Sequence, residues 1–217
     1  MTFLSMRRAY LDVSLMHHSH HFEGRVLDLG GKKKGRRGEF EPPFDRVNDW
    51  VYLNSDEASN PDILATVPPI PCDDESFDLV LSTEVMEYLV DPTAFLKEAA
   101  RVLKPKGKII LSVPFLHLLH KDYEHDYWRF TETSLKALLE KDFDSLFFER
   151  QGGLLAVFYD LYRGYHASSA SYPPPLRTRV LLKILRGFGP LCFKIDKYMF
   201  KNRFFINTGF FFVGLKK

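Results

Sequence analysis

A chain of 217 residues is the length of a single domain, and its 45% hydrophobic and 27% charged residues exclude a disordered, collagen-like or low-complexity protein. The net charge of +2 conceals a division by position: residues 1–150 carry 19 Lys and Arg against 26 Asp and Glu, whereas residues 151–217 carry 11 against 2. An acidic body joined to a basic C-terminal third points to contact between the basic part and nucleic acid or a membrane.

In chain order, residues 3–16 read as an amphipathic helix, with Phe3, Leu4, Tyr10, Leu11, Leu15 and Met16 at helical spacing. The segment has no signal-peptide core. His17, His18, His20 and His21 extend this N-terminal helical region to residue 21. They suit a metal cluster or an added tag. A polar linker is the preferred reading, because metal sites usually draw ligands from several elements.

Arg25–Leu29 is a short buried strand closed by Gly30 and Gly31, and residues 32–49, with two Pro and no apolar period, read as a loop. Trp50–Asn54 and Phe77–Ser82 are further strands. Asp91 and Pro92 open a helix that turns Phe95, Leu96, Ala99, Ala100 and Leu103 inward and ends at Lys104–Gly107. Lys108–Pro114 is the next strand, and Thr131 caps a helix over 132–141 with Leu135, Leu138 and Leu139 inward. Leu146–Glu149 and Thr208–Leu215 are late strands. Apolar strands alternating with helices imply an α/β domain with a mainly parallel sheet. No apolar run reaches the roughly 18 residues of a spanning helix. Cys72 and Cys192 offer neither a disulfide framework nor a zinc spacing, so no metal is expected and a reducing cytoplasm is the default location.

Ligands of such sheets bind beyond the carboxyl ends of the strands. There stand Asp28 with Gly30 and Gly31, then Asp56, then Thr83–Tyr88. Singly each is weak: a Gly pair also makes a plain tight turn, and a lone Asp a helix cap. Gly30-x4-Gly35-Arg36-Arg37 lacks the Lys and the hydroxyl of a nucleotide phosphate loop, and Lys32 occupies the second Gly position of a dinucleotide fingerprint. An NTPase or a nicotinamide enzyme is thereby disfavoured.

Together the blocks VLDLGG (26–31), YLNSD (52–56), PIPCDDESFDLVLSTEVMEYLVDP (69–92) and RVLKPKGKIILSVPF (101–115) resemble the motifs of class I S-adenosylmethionine-dependent methyltransferases of the UbiE-like, methyltransferase type 11 group. DYWRFT (126–131) resembles a block of one subgroup. The resemblance runs from about residue 24 to 140 and ends at the closing strand 208–215. It implies a Rossmann-like methyltransferase sandwich with a C-terminal antiparallel strand, and S-adenosylmethionine as cofactor. Asp28, Gly30 and Gly31 would lie under the methionine part, Asp56 would hold the ribose, Thr66 and Val67 would flank adenine, and Thr83 would offer backbone near the amino-acid end. Lys32 and Lys34 stand where the family has Gly, Thr66 where it has an acid, and Tyr88 where it has His. The family's first two helices have no room in residues 32–49 and 57–61.

GKKKGRRG (31–38) reads as a solvated basic loop, or as placing Lys32 or Lys33 on the cofactor carboxylate or an anionic substrate. Residues 117–130 follow a strand end on the ligand side. His120 and His125 are the candidate general bases for an acceptor of high pKa, and His117, Tyr123, Tyr127, Trp128 and Arg129 the candidate substrate contacts. Packing of Trp128 and Phe130 against the next helix is the plainer alternative. Residues 176–203 carry eight Lys or Arg and one Asp among interleaved apolar residues, after the stiff spacer Pro173–Pro175. This basic apolar helical insertion, about 160–203, fits a lid, a packing face or an anionic membrane surface; nucleic acid is unlikely, because the body is acidic. The expectation is one methyltransferase-like domain over 1–217, with its core at about 24–150, methylating a small-molecule or lipid-linked acceptor. The alternative is a degenerate, non-catalytic binding or scaffold domain on the same fold.

Overall fold

The computed structural model describes residues 5–33, 38–119, 123–168, 176–200 and 206–217. Its elements are α1 (Met6–His17), β1 (Gly24–Leu29), β2 (Val47–Asn54), β3 (Ile63–Leu64), β4 (Phe77–Thr83), α2 (Pro92–Val102), β5 (Leu103–Pro114), α3 (Glu132–Leu139), β6 (Phe143–Gln151), α4 (Leu154–Ser168), α5 (Leu176–Ile195) and β7 (Gly209–Lys216). The strands form one seven-stranded sheet in the order β3-β2-β1-β4-β5-β7-β6. Neighbours from β3 to β5 are parallel, and β7 runs antiparallel to both β5 and β6. The expected α/β sandwich with its reversed closing strand is therefore present.

Strand periodicity sends alternate side chains to opposite faces. Leu27, Leu29, Val51, Leu53, Val80, Leu111 and Phe210 pack with Phe95, Leu96 and Ala99 of α2 and Leu135 and Leu139 of α3. Val26, Trp50, Tyr52, Leu79, Leu81, Ile110 and Phe211 face the other way, against Leu11 and Leu15 of α1. Capping fixes the helix starts. Ser5 Oγ accepts from Arg8 N, and the buried Asp160 carboxylate of α4 accepts from Met6 N (2.8 Å) and Arg7 N (2.7 Å), so three orphan amides of α1 are satisfied. Asp91 caps α2 with Pro92 in its first turn, and Thr131 caps α3. Buried Asp196 accepts from Gly153 N and Ala156 N at the start of α4, and from the Tyr10 hydroxyl.

Several elements differ from the sequence reading; β2 starts at Val47 rather than Trp50, and β6 at Phe143 rather than Leu146. β5 starts at Leu103, because the chain passes from α2 into the sheet with no intervening loop. The helical insertion starts at Leu154 and not near 160. β3 is only two residues long, too short to show a period. Among the described residues, no helix connects β1 to β2, and a single helical turn, Glu57–Ser59, stands between β2 and β3. That shortening was expected, and it leaves the α1 face of the sheet incompletely covered.

Candidate cofactor and acceptor site

The carboxyl ends of β1 and β2 are tied together. Asn54 Nδ2 donates to the carbonyls of Gly30 (3.0 Å) and Gly31 (2.9 Å), and its Oδ1 accepts from Asp56 N. Gly30 has φ +78°, and a Cβ on it would meet Val85 Cγ2 at 2.5 Å; a Cβ on Gly31 would lie 2.3 Å from the Asp28 carboxyl group. The loop thus offers bare backbone to a ligand and has no room for side chains. Asp28 is buried on the α1 face and accepts from the Trp50 indole N–H at 3.2 Å.

Asp56 caps the turn after β2 through Ala58 N and receives Lys32 Nζ at 3.0 Å. The Lys32 hydrogen bond, then the backbone one, holds its carboxyl below the usual range. Lys33 pairs with Asp62 and lies over the Tyr52 ring. The two lysines therefore reach acids on either side of the turn between β2 and β3, an arrangement the loop's sequence did not disclose. Lys34 to Arg37 lie outside the described residues.

A cavity of about 1230 Å³ opens over these strand ends. One end is walled by Asp28, Gly30, Gly31, Lys32, Thr66, Val67 and Thr83. Its floor on the α1 face is apolar and aromatic, with Leu11, Leu15, Phe40, Trp50 and Tyr52. The far end meets His117, His125, Tyr127, Asp160, Arg163 and Gly164. A pocket for one drug-sized ligand is about 300–1,000 Å³, so there is room for two ligands side by side.

The far end rests on a buried ionic frame. Arg7, 4% exposed, pairs with Glu84, donates to Val113 O (3.1 Å), and contacts Gln151 Oε1. Glu84 also accepts from Ser112 Oγ at 2.9 Å and takes a left-handed backbone, φ +56°. Burial alone would raise the Glu84 carboxyl, but Arg7 and Ser112 outweigh it and the net direction is down. Glu87, one turn on, is fully buried, and neither carboxylate oxygen has a partner. Desolvation, then the Glu84 charge, pushes its carboxyl well above the usual range.

Of the candidate acceptor contacts, His117, His125 and Tyr127 reach the cavity wall. Trp128 and Arg129 do not. Trp128 donates its indole N–H to Leu89 O at 2.7 Å and stacks on Phe130, and Arg129 is taken up by Asp126 and Leu118 O. Both side chains are held to neighbouring groups of the chain rather than lining the cavity, although Trp128 remains 41% exposed. His120 and the Tyr123 side chain lie outside the described residues. Sequence reasoning missed Arg7, Asn54, Trp50, Asp160 and Arg163, whose Nε is buried with no partner. They come from elements far apart in the chain, and no local spacing links them.

Two features lie outside the cavity. The imidazole nitrogens of His18, His20 and His21 converge to within 4.8 Å of one another, where the sequence favoured a polar linker. On the opposite flank, α5 exposes Leu176, Val180, Leu181, Ile184, Phe188 and Leu191, and α4 exposes Phe158, Tyr162 and Tyr165. Among the described residues no helix is long and apolar enough to cross a membrane. Pro173–Pro175 and residues 201–203 are not described.

The comparisons agree with this geometry. A model of the methyltransferase domain matches residues 45–111. An uncharacterized protein of Methanocaldococcus jannaschii is 32% identical over 97 residues, which is 42% of this chain and 45% of that protein. The ubiquinone biosynthesis O-methyltransferase of Xanthomonas oryzae pv. oryzae is 51% identical over 37 residues, 17% of this chain and 16% of that enzyme. The chain therefore spans less than half the length of these curated relatives. Among solved structures, a SAM-dependent methyltransferase of Thermotoga maritima superposes with TM-score 0.56 at 22% identity, covering 98% of this chain and 91% of that one. Phosphoethanolamine N-methyltransferase 2 of Haemonchus contortus, solved with S-adenosyl-L-methionine, gives TM-score 0.57 at 14% identity over 99% of this chain and 54% of that one. Residues 45–111 thus match a methyltransferase domain, and the sheet order and overall fold are those of solved S-adenosylmethionine-dependent methyltransferases.

Proposed function

We propose that the protein transfers the methyl group of S-adenosylmethionine to a small-molecule or lipid-linked acceptor that it meets at an anionic membrane surface. The observation that carries this reading is the single cavity of about 1230 Å³, which joins the glycine loop to an apolar, aromatic floor and to His117, His125 and Tyr127. The cofactor, when bound, supplies an activated methyl group for in-line displacement. The residues at the strand ends fit it. Gly30 and Gly31 leave bare backbone for the amino-acid part, Asp56 has a half-exposed carboxylate for the ribose hydroxyls, and Thr66 and Val67 stand where adenine would lie. The Lys32–Asp56 pair is exposed at both ends, and such pairs contribute little, so a ligand can displace it. For that reason the lysine substitutions do not favour a non-catalytic domain.

Methyl transfer depends mostly on positioning the acceptor. Tyr127 and Leu118 wall the acceptor end, Arg163 offers an unpartnered Nε to an anionic group, and His125 is the base that takes a hydroxyl or amine proton. The approach to a membrane is argued from charge. Residues 161–195 hold six Lys or Arg and no Asp or Glu, beside the exposed apolar residues of α4 and α5. Such helices lie in the headgroup region of anionic bilayers. The other face of α4 supplies Asp160, Arg163 and Gly164 to the cavity, so the surface and the site share one helix.

Incubation with methyl-tritiated S-adenosylmethionine and a total lipid and metabolite extract is expected to label a lipid or small-molecule fraction, with the labelling weakened by His125→Ala. A cofactor-binding protein that labels no fraction would contradict transfer to either acceptor class. Flotation with phosphatidylglycerol vesicles should be strong at low salt and weaker at high salt. Failure to float at low salt would remove the membrane part alone.

A further inference from the structure

We propose that His18, His20 and His21 form a binding site for one divalent transition-metal ion of the zinc, cobalt or nickel kind, at the end of the sheet away from the methyl-transfer cavity. The cluster follows α1 and precedes Gly24, the first residue of β1, whereas the cavity opens beyond Leu29 at that strand's other end.

Three observations point to a ligand. First, one nitrogen from each ring lies within 4.8 Å of the other two, and modest side-chain rotation brings them to the ~3.3 Å that tetrahedral bonds of about 2.0–2.1 Å require. Second, His18 is 6% exposed, and neither Nδ1 nor Nε2 has a hydrogen-bond partner. Buried polar atoms of this kind are costly unless something binds them. Third, His18 is held in place. Its ring packs on Phe147 at 4.3 Å and on Phe211 at 5.5 Å, and it stacks with His21 at 5.7 Å.

The surrounding charges do not compete for the site. Lys108 is paired with Glu23 at 2.9 Å, Glu149 accepts from Ser14 Oγ, and His17 meets His18 edge-on. Three imidazoles leave a fourth position for water, and nitrogen donors favour zinc, cobalt or nickel over magnesium or calcium. The ion would join the C-terminal end of α1 to the sheet face under Phe147 and Phe211.

The test is titration of the full chain with Co²⁺ and Zn²⁺, read by visible absorption, equilibrium dialysis and thermal unfolding. One ion per chain, a tetrahedral Co²⁺ spectrum displaced by Zn²⁺, and a raised Tm are expected, because a ligand held by the folded state stabilises it. His20→Ala, at an exposed position, should weaken binding by more than about ten-fold, the loss that even an outer-shell partner's removal brings. His17→Ala should leave binding intact. Binding that lowers the Tm, or that survives His20→Ala and His21→Ala together, would overturn the proposal, because the ion would then be held by the unfolded chain or by other groups.

Discussion

Glu87 is the residue whose surroundings are most at odds with its chemistry. It is a fully buried carboxyl group without a partner, beside the charge of Glu84. A folded-state pKa raised above the unfolded value of about 4.3 favours folding below that value, and the contribution fades as pH rises toward the folded value. Glu87→Gln keeps the shape of the neutral acid and removes the titration. The variant's Tm is expected to fall less than the wild type's between acidic and neutral pH; parallel curves would contradict the assignment. Gly31 is constrained differently. A methyl group there would overlap the Asp28 carboxyl, so Gly31→Ala should cost about 1–3 kcal/mol by overpacking and weaken cofactor binding by calorimetry. That Asp28, Gly30, Gly31 and Asp56 stand at or just beyond strand ends was legible in the sequence, because the apolar pattern of β1 and β2 is plain. The role of Glu87 was not, because burial and a neighbouring charge leave no mark on spacing. The hydrogen bond that holds Trp128 to Leu89 was equally invisible, because it joins residues 39 positions apart.

At the scale of elements, α1 does work that the sequence did not announce. It packs Leu11 and Leu15 on the sheet face where, among the described residues, no helix connects β1 to β2, and it drives Arg7 into the sheet against Glu84, 77 positions away. Asp160 of α4 completes its N-terminus. Removing one partner of a buried pair leaves the other uncompensated, which typically costs about 3–5 kcal/mol. Arg7→Ala is therefore expected to lower the unfolding free energy by several kcal/mol in denaturant titration, whereas Arg25→Ala, which breaks the exposed pair with Asp49, should change it by under about 1 kcal/mol. Equal effects would show that the Arg7 frame is not buried as described. The helix itself was visible from its apolar spacing. Its polar contacts were not, since they span the chain and obey no local period. The two-residue β3 escaped for want of length, and the start of α4 was set too late because Leu154–Asp160 is too apolar to mark a surface helix.

Across the whole molecule, the charge division seen in the sequence maps onto architecture. The acidic body is the sheet and its cavity, and much of the basic third lies on α4 and α5 beside the exposed apolar residues. The fold class, a mainly parallel sheet with a reversed closing strand, followed from the alternation of strands and helices and from the motif blocks. The acceptor did not, because the proposed pocket draws on α1, on His117, Leu118, His125 and Tyr127, and on α4. The account rests on one claim: the glycine loop and Asp56 form a working cofactor site despite Lys32. Isothermal titration of the purified chain with S-adenosylhomocysteine tests it most directly. One molecule per chain is expected to bind, with affinity reduced at least about ten-fold by Asp56→Ala, the loss of about 1.4 kcal/mol that one good ribose hydrogen bond represents. No binding at millimolar ligand, or binding indifferent to Asp56→Ala, would contradict it.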